Sequence, residues 1–297
     1  MSEGLFPGRL GLAKSRIPYV DRHGLVWLAR GKLSVENGTL HFTAAKSEIL
    51  DSGEYAIPYQ NVSIIMLGPG STVSHDALRL LSRHGTLLAA VGEGGVKFYT
   101  APPMGQGHSD IARQHARLWA DETTRLDIAR RMYAFRFGRV LPHRDISVLR
   151  GIEGGRMKKT YQLLADEHGV PWKGRRYNRQ DPDGADIPNQ AINHAATFVE
   201  AAADVAVAAV GALPPLGFIH EDSSNAFTLD IADLYRAEVT LPLAFSVAKQ
   251  VLNEPDLPLE RTLRREAANQ FKKQKLIAKM IDRTKELLHV DDSDSDS

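Results

Sequence analysis

The sequence has no cysteine. That excludes disulfides, zinc–thiolate sites and cysteine nucleophiles, and it fits a reducing, cytoplasmic setting. No apolar run reaches about 18 residues, so no membrane-spanning helix is expected. The segment Met1–Ser15 carries glycine and proline and lacks the apolar core of a signal peptide. Internal repeats are missing. Net charge is almost missing: 37 Lys/Arg against 36 Asp/Glu leave +1. The charge is nevertheless unevenly spread. From Ser109 to Arg179 there are 16 Lys/Arg against 8 Asp/Glu, a net of +8. From Glu221 to Glu260 there are 2 against 8, a net of −6. The first stretch suits a polyanion and the second a cation; two solvated surfaces of opposite sign is the plainer reading.

A chain of 297 residues with 43% hydrophobic content can build one large core or two ordinary ones. Tyr19 to Thr100 reads as short strands. Asn37-Gly38 between apolar runs predicts a hairpin, because both central positions need positive φ. One helix interrupts the strands from Ser74 or His75 to about Arg83, with Ala77, Leu78, Leu80 and Leu81 as its buried stripe. Gly92-Glu93-Gly94-Gly95 lies between two strands and reads as a hairpin turn, not a phosphate loop. The class is α+β: a small, sandwich-like N-terminal β domain over 1–100, a linker over 101–108, and a larger all-α domain over 109–290. The acidic, low-complexity tail over 291–297 reads as disordered.

In the helical part, one long helix is expected from Ser109 to about Phe137 and a second from about Asp145 to Glu167. The second carries Ile152 in its apolar set and Gly151, Gly154 and Gly155 around Glu153. Glycine inside a helix costs roughly 1 kcal/mol against alanine. Close approach of a backbone or a ligand is the usual reason for it. The loop after Gly169 mixes Trp172 and Tyr177 with Lys173, Arg175, Arg176 and Arg179, the composition of a nucleic-acid contact loop. An Ala/Val-rich helix over Asn189–Val210 is apolar nearly all round and reads as central. Leu259–Leu288 predicts one or two basic helices.

The densest chemistry lies in Gly217–Arg236. A short apolar run ends at His220, a polar loop follows, and a helix carries Asp230 and Asp233 on one face. Glu153 is the best further carboxylate. Singly these residues have plain readings: a structural imidazole, a helix cap, an i,i+3 partner for Arg150 and Arg156. Together they make an oxygen-rich set with one imidazole, suited to Mg²⁺ or Mn²⁺ and also to non-haem iron, but not to structural zinc. Few protein ligands leave positions for water and phosphate oxygens, as metal-assisted phosphodiester chemistry requires.

Leu149-Arg150-Gly151-Ile152-Glu153-Gly154, Gly217-Phe218-Ile219-His220 and Asp230-Ile231-Ala232-Asp233-Leu234 occur in the order and spacing of a known family. Met66–Gly70, Val73–His75, Gly85–Leu88, Lys173–Tyr177 and Asn189-Gln190 extend the likeness, which runs from about Leu25 to Leu288. The chain resembles the spacer-acquisition integrase and endonuclease of CRISPR systems, type I-E branch. The resemblance implies a β domain that dimerises and a helical catalytic domain. It implies a homodimer that joins a small ferredoxin-like adaptation partner in a heterohexamer. The implied activity is metal-dependent DNA cleavage, and joining of the 3′-hydroxyl ends of foreign DNA to the CRISPR repeat by transesterification. Carried over by position, Glu153, His220 and Asp233 are the Mg²⁺ or Mn²⁺ ligands and the catalytic set. Asp230 and Tyr177 stand close by. Arg79, Lys97, Lys173, Arg175, Arg176 and Arg236 fall where relatives face DNA. Three positions depart: Arg30 stands where relatives have an aromatic, Thr72 replaces a basic residue, and Glu200 stands where relatives can have a tyrosine. The rival classes are an architectural DNA-binding subunit without catalysis, and a small-molecule metallohydrolase or non-haem iron enzyme.

Overall fold

The computed structural model describes residues 24–46, 51–100, 109–176 and 185–289. A β region is followed by a helical one, and the chain divides into two compact units inside one strand, between Ala89 and Ala90.

The first unit is built on two sheets. One contains β1 (Gly24–Leu28), β5 (Val62–Leu67) and β7 (Leu87–Val91), continued by β8 (Phe98–Thr100). The other has the order β4 (Gly53–Ile57), β3 (Thr39–Ala44), β2 (Gly31–Glu36), β6 (Thr72–Val73). The β2–β3 hairpin turns at Asn37, φ 50°, and Gly38, φ 77°, as the Asn-Gly pair predicts. The pairings β1–β5 and β2–β6 are parallel, so these are mixed sheets. β5 is buried along its whole length, as a run of apolar residues covered on both faces should be. Leu33, Leu40, Phe42 and Ile57 from one sheet meet Leu28, Val62 and Ile65 from the other, giving the sandwich-like core.

Helix α1 (His75–His84) closes this core with Ala77 and Leu81. The Ser74 hydroxyl accepts the Ala77 N–H at 3.2 Å, a side-chain N-cap, and Gly85 ends the helix in the left-handed region. Leu78, expected in the buried stripe, is instead 43% exposed.

The second unit holds the remaining helices. The expected long helix from Ser109 is two: α2 (Asp110–Ala120) and α3 (Glu122–Phe137). Asp121 causes the break. Its carboxylate accepts the Thr124 N–H at 2.8 Å, which starts a new helix while its extended ψ ends the old one. Then come α4 (Ile146–His168) and α5 (Ile187–Val210). α5 is central, packing on α6 (Ala226–Leu234), α7 (Leu241–Asn253), α8 (Leu259–Gln274) and α9 (Leu276–Leu287). Ala191, Ala195, Ala202 and Ala206 are fully buried and let neighbouring helices approach closely. The basic C-terminal run is two helices because Lys275 adopts φ 53°, ending α8. The hairpin of β7 and β8 turns through Glu93–Gly95, with the Gly92 N–H donating to Lys97 O at 2.7 Å. Ala90 and Val91 of β7, together with β8, group with the helices, so the division falls earlier in the chain than the 101–108 segment read as a linker. Among the described residues no helix is long and apolar enough to cross a membrane.

Candidate metal and DNA-chemistry site

The second unit brings Glu153, His220 and Asp233 to one place, each from a different element. Glu153 lies in α4, anchored at its start by Asp145, whose carboxylate accepts the Ser147 N–H at 2.8 Å. Its neighbours do not pair with it: Arg150 donates to Ile219 O at 3.3 Å and Arg156 to Phe137 O at 2.8 Å. The ion partner of Glu153 is Arg136 of α3. Burial raises the Glu153 carboxyl above its ordinary range, Arg136 opposes this, and Asp233 adds to it.

The His220 loop is organised by Asp230. This side chain is fully buried in α6. Its Oδ2 accepts the Phe218 and Ile219 N–H groups at 2.6 and 3.0 Å, and its Oδ1 accepts the His220 N–H at 3.0 Å. The same Oδ1 lies 2.7 Å from His220 Nδ1. A carboxylate only accepts, so Nδ1 carries a proton, and in the neutral ring the lone pair is on Nε2. That nitrogen lies 3.8 Å from Asp233 Oδ2. Carboxylate, imidazole and a free Nε2 form the arrangement that orients a histidine for a metal ion. The hydrogen bond to Asp230 raises the His220 pKa, against the effect of burial.

Further contacts hold the loop in place. Gly217 packs so tightly that a Cβ there would sit 2.1 Å from His220 O. His115 of α2, fully buried, donates from Nε2 to Leu216 O at 2.8 Å and accepts the Leu213 N–H at Nδ1, 3.1 Å. Burial keeps it neutral, with its pKa lowered to about 4. Trp119 Nε1 donates to Gly217 O at 2.9 Å. Nothing in the sequence pattern marks His115 or Trp119 as supports of a loop about a hundred residues away.

After α6 the chain makes a π turn, Arg236–Thr240, a feature common at functional sites. Arg236 donates to Asp233 Oδ1 at 3.2 Å and to the Tyr161 hydroxyl at 3.0 Å. It therefore joins the ligand cluster, with its side chain 30% exposed. Glu200 of α5 adds another carboxyl, raised to about 7 by burial and by Asp233 and Asp204. The site thus carries more carboxylates than a single imidazole balances, and two arginines beside them.

The donor set fits a hard divalent cation: one imidazole nitrogen, two carboxylates, and a buried Glu153 Oε1 that has no well-formed hydrogen bond. The trio is not drawn together as ligands would be. Among the described residues, the group whose ligand atoms all lie within 4.8 Å of one another is Glu36, His41 and Glu54. These occupy the outer face of the β2–β3–β4 sheet, where Glu36 and Glu54 flank His41 diagonally. Both glutamates are exposed, and His41 Nδ1 is 2.8 Å from Glu54 Oε1.

The glycines around Glu153 have no packing reason. A Cβ on Gly151, Gly154 or Gly155 would meet nothing within 4 Å, and Ile152 is 37% exposed instead of buried.

The DNA-facing candidates divide. Arg79 is exposed and pairs with Asp76 at 3.1 Å, and Lys97 pairs with Glu260 at 3.4 Å. Lys173 and Arg176 are exposed. Arg175 is held inward by Asn189 Oδ1 and Asn193 Oδ1 at 3.0 and 2.6 Å. Asn189, fully buried, also accepts the Arg176 N–H and donates to Gly174 O. Arg175 thereby pins the loop to the start of α5. Trp172 stacks on Tyr161 and meets Phe245 edge-on, so it is packed rather than offered to a base. Tyr177 lies outside the described residues.

Comparison with known proteins gives a consistent answer. A family profile described as CRISPR associated protein Cas1 matches residues 25–140 and 136–280. A CRISPR-associated endonuclease Cas1 of Rhodospirillum rubrum is 37% identical over 271 residues, 90% of this chain and 85% of that protein. The CRISPR-associated endonuclease Cas1 of Escherichia coli K12 is 37% identical over 269 residues, 89% and 84% of the two chains. A crystal structure of a TtCas1–DNA complex superposes with a TM-score of 0.80 at 31% identity, covering 90% of this chain and 97% of that one. A casposase bound to integration product shares the fold, with a TM-score of 0.63 at 17% identity, covering 91% and 96%. With the profile matched across both units, the chain belongs to the Cas1 family of CRISPR-associated endonucleases.

Proposed function

We propose that this protein is a divalent-metal-dependent DNA endonuclease and integrase, with Glu153, His220 and Asp233 as metal ligands. The observation that carries the reading is His220. Its Nδ1 proton is fixed by a buried Asp230 and its Nε2 faces Asp233. A carboxylate on one ring nitrogen with the other aimed at a second carboxylate is the arrangement that orients a metal-binding histidine. A bound Mg²⁺ or Mn²⁺ would supply Lewis-acid polarisation of a phosphate oxygen. The chain's own part is to hold the ligands rigid, aim His220 Nε2 at Asp233 through the Asp230 hydrogen bond, and bring basic side chains to the phosphates. In joining, the 3′-hydroxyl oxygen of one strand bonds to phosphorus and the 3′-oxygen of the other strand leaves. The proton lost by the first is gained by the second, so nothing is consumed.

DNA as substrate is supported by the TtCas1–DNA complex and by the net +8 of 109–179. With Arg175 and Trp172 held inward, Lys173, Arg176, Arg79 and Lys97 remain the better phosphate contacts. Pairing through the β unit, a small ferredoxin-like partner and the type I-E branch complete the proposal; its support is the motif set. All three ligands come from one chain, so each protomer would carry its own site.

The rival reading, an architectural DNA-binding subunit, draws on the Arg136–Glu153 and Arg236–Asp233 ion pairs, which neutralise the carboxylates without a metal. Strand joining into a supercoiled CRISPR plasmid, with and without the partner, separates the two. Glu153→Ala should abolish joining and leave DNA binding within a few fold, since phosphate contacts position the duplex independently. Full joining by that variant in Mg²⁺ or Mn²⁺ would remove the assignment.

A further inference from the structure

We propose that Arg136 is the internal competitor of the metal ion: its guanidinium stands in the cation position between Glu153 and Asp233, and metal binds by displacing it. The inference rests on the metal-site reading above.

The geometry is specific to one nitrogen. Arg136 Nη2 touches Glu153 Oε1 and lies 3.4 Å from Asp233 Oδ2. That Asp233 oxygen is the one His220 Nε2 approaches at 3.8 Å. A single cationic nitrogen therefore bridges the two carboxylates on the side that His220 Nε2 faces. The pairing is well shielded, with side-chain exposures of 10% for Arg136 and 13% for Glu153. A guanidinium holds its carboxylates farther apart than a metal does, because ligand oxygens around Mg²⁺ all sit at about 2.0–2.1 Å. With the guanidinium between them, the Glu153 and Asp233 oxygens need not close to metal-ligand spacing, although His220 Nε2 already lies 3.8 Å from Asp233 Oδ2.

The second arginine does not take this role. Arg236 contacts the other Asp233 oxygen, Oδ1, and is tied to the Tyr161 hydroxyl. It can stay when the cation arrives. Arg136 reaches in from α3, behind its neighbour Tyr133, whose ring its guanidinium overlies at 5.6 Å. An arginine remains charged at any physiological pH, so only displacement frees the two oxygens. The metal-free site is thus held in shape without a cation, and metal affinity is set by the competition.

The test is Mn²⁺ binding, followed by calorimetry and by the electron paramagnetic resonance of free Mn²⁺, on the wild type, Arg136→Gln, Arg136→Met and Glu153→Ala. Removing a charge-assisted pair is expected to tighten Mn²⁺ in both Arg136 variants by about ten- to a hundredfold. Glu153→Ala should lose the site. A residue with a merely structural role would leave affinity unchanged or weaken it, and either result in the Arg136 variants overturns the proposal. Failure of the wild type to bind Mn²⁺ would instead overturn the site reading. If the variants do not fold, the wild type decides. In side-chain nitrogen NMR, the Arg136 Nε resonance should move when Mg²⁺ saturates the protein. An Arg136 resonance that stays fixed while Mg²⁺ binds refutes the displacement.

Discussion

Asp230 and Asp233 lie three residues apart on one helix, and the structure gives them different work. Asp230→Asn is the sharpest probe. Asp230 accepts four hydrogen bonds: Phe218 and Ile219 N–H at Oδ2, His220 N–H and Nδ1–H at Oδ1. An asparagine offers one acceptor oxygen and an NH₂ group. If the oxygen keeps the His220 pair, the NH₂ faces the Phe218 and Ile219 N–H groups. Two bonds to a charged acceptor are lost at roughly 1.5–3 kcal/mol each, so the variant should lose about 3–6 kcal/mol. That is a large share of the roughly 5–15 kcal/mol typical of a folded protein. Asp233→Asn removes no backbone hydrogen bond, because its carboxylate contacts the side chains of Arg136, Arg236 and His220. It weakens ion pairs to two arginines that keep other partners, Glu153 and the Tyr161 hydroxyl, so its urea midpoint should fall by less than that of Asp230→Asn while metal binding is lost. Urea unfolding followed by circular dichroism, paired with Mn²⁺ calorimetry on both variants, reads the two effects separately. Equal urea midpoints for Asp230→Asn and wild type would refute the claim that this carboxylate builds the His220 loop.

Three further expectations follow from the same structure. Burial lowers the His115 pKa to about 4 from 6.5, so its contribution is present above pH 6.5 and lost as pH falls towards 4, roughly 3 kcal/mol in all; His115→Gln should flatten the stability profile over that window, and an unchanged profile refutes it. Glu200 is raised from 4.5 to about 7, so its ionisation destabilises the metal-free protein as pH rises through that interval, by at most roughly 3 kcal/mol. Glu200→Gln should therefore be the more stable chain at pH 8 and no more stable at pH 4.5, as thermal unfolding at the two pH values would show. Gly154→Ala and Gly155→Ala meet open space, so each should stabilise α4 by about 1 kcal/mol; a loss of DNA affinity in these more stable variants would identify the bare face as a DNA contact, and unchanged affinity would exclude it.

The sequence made the local features legible. Asn37-Gly38 dictates its hairpin through backbone sterics, Ser74 caps its helix, and the alanine-rich α5 is central because it is apolar nearly all round, apart from the line of Asn193, Thr197, Glu200 and Asp204. The His220 loop and the Asp230/Asp233 helix were visible as a motif. Their division of labour was not, since i,i+3 spacing puts both carboxylates on one face and says nothing about which one turns towards the loop backbone. Asp121 was missed as a break because its helical neighbours mask a cap. Arg175 and Trp172 read as DNA contacts by composition, but composition does not show that Asn189 waits for the first and Tyr161 for the second. Arg136 carries no local signal. Its role exists only because α3 passes α4 and α6, a long-range fact that periodicity does not encode. The parallel pairings of β1 with β5 and β2 with β6 were hidden for the same reason.

The central claim is that Glu153, His220 and Asp233 hold the cation that drives DNA chemistry. Anomalous scattering from crystals grown with Mn²⁺ tests it directly. A peak bonded to His220 Nε2 and to carboxylate oxygens of Glu153 and Asp233, with the Arg136 guanidinium turned away, is the predicted result. Mn²⁺ found only among Glu36, His41 and Glu54, with Arg136 still bridging Glu153 and Asp233 at saturating metal, would contradict it.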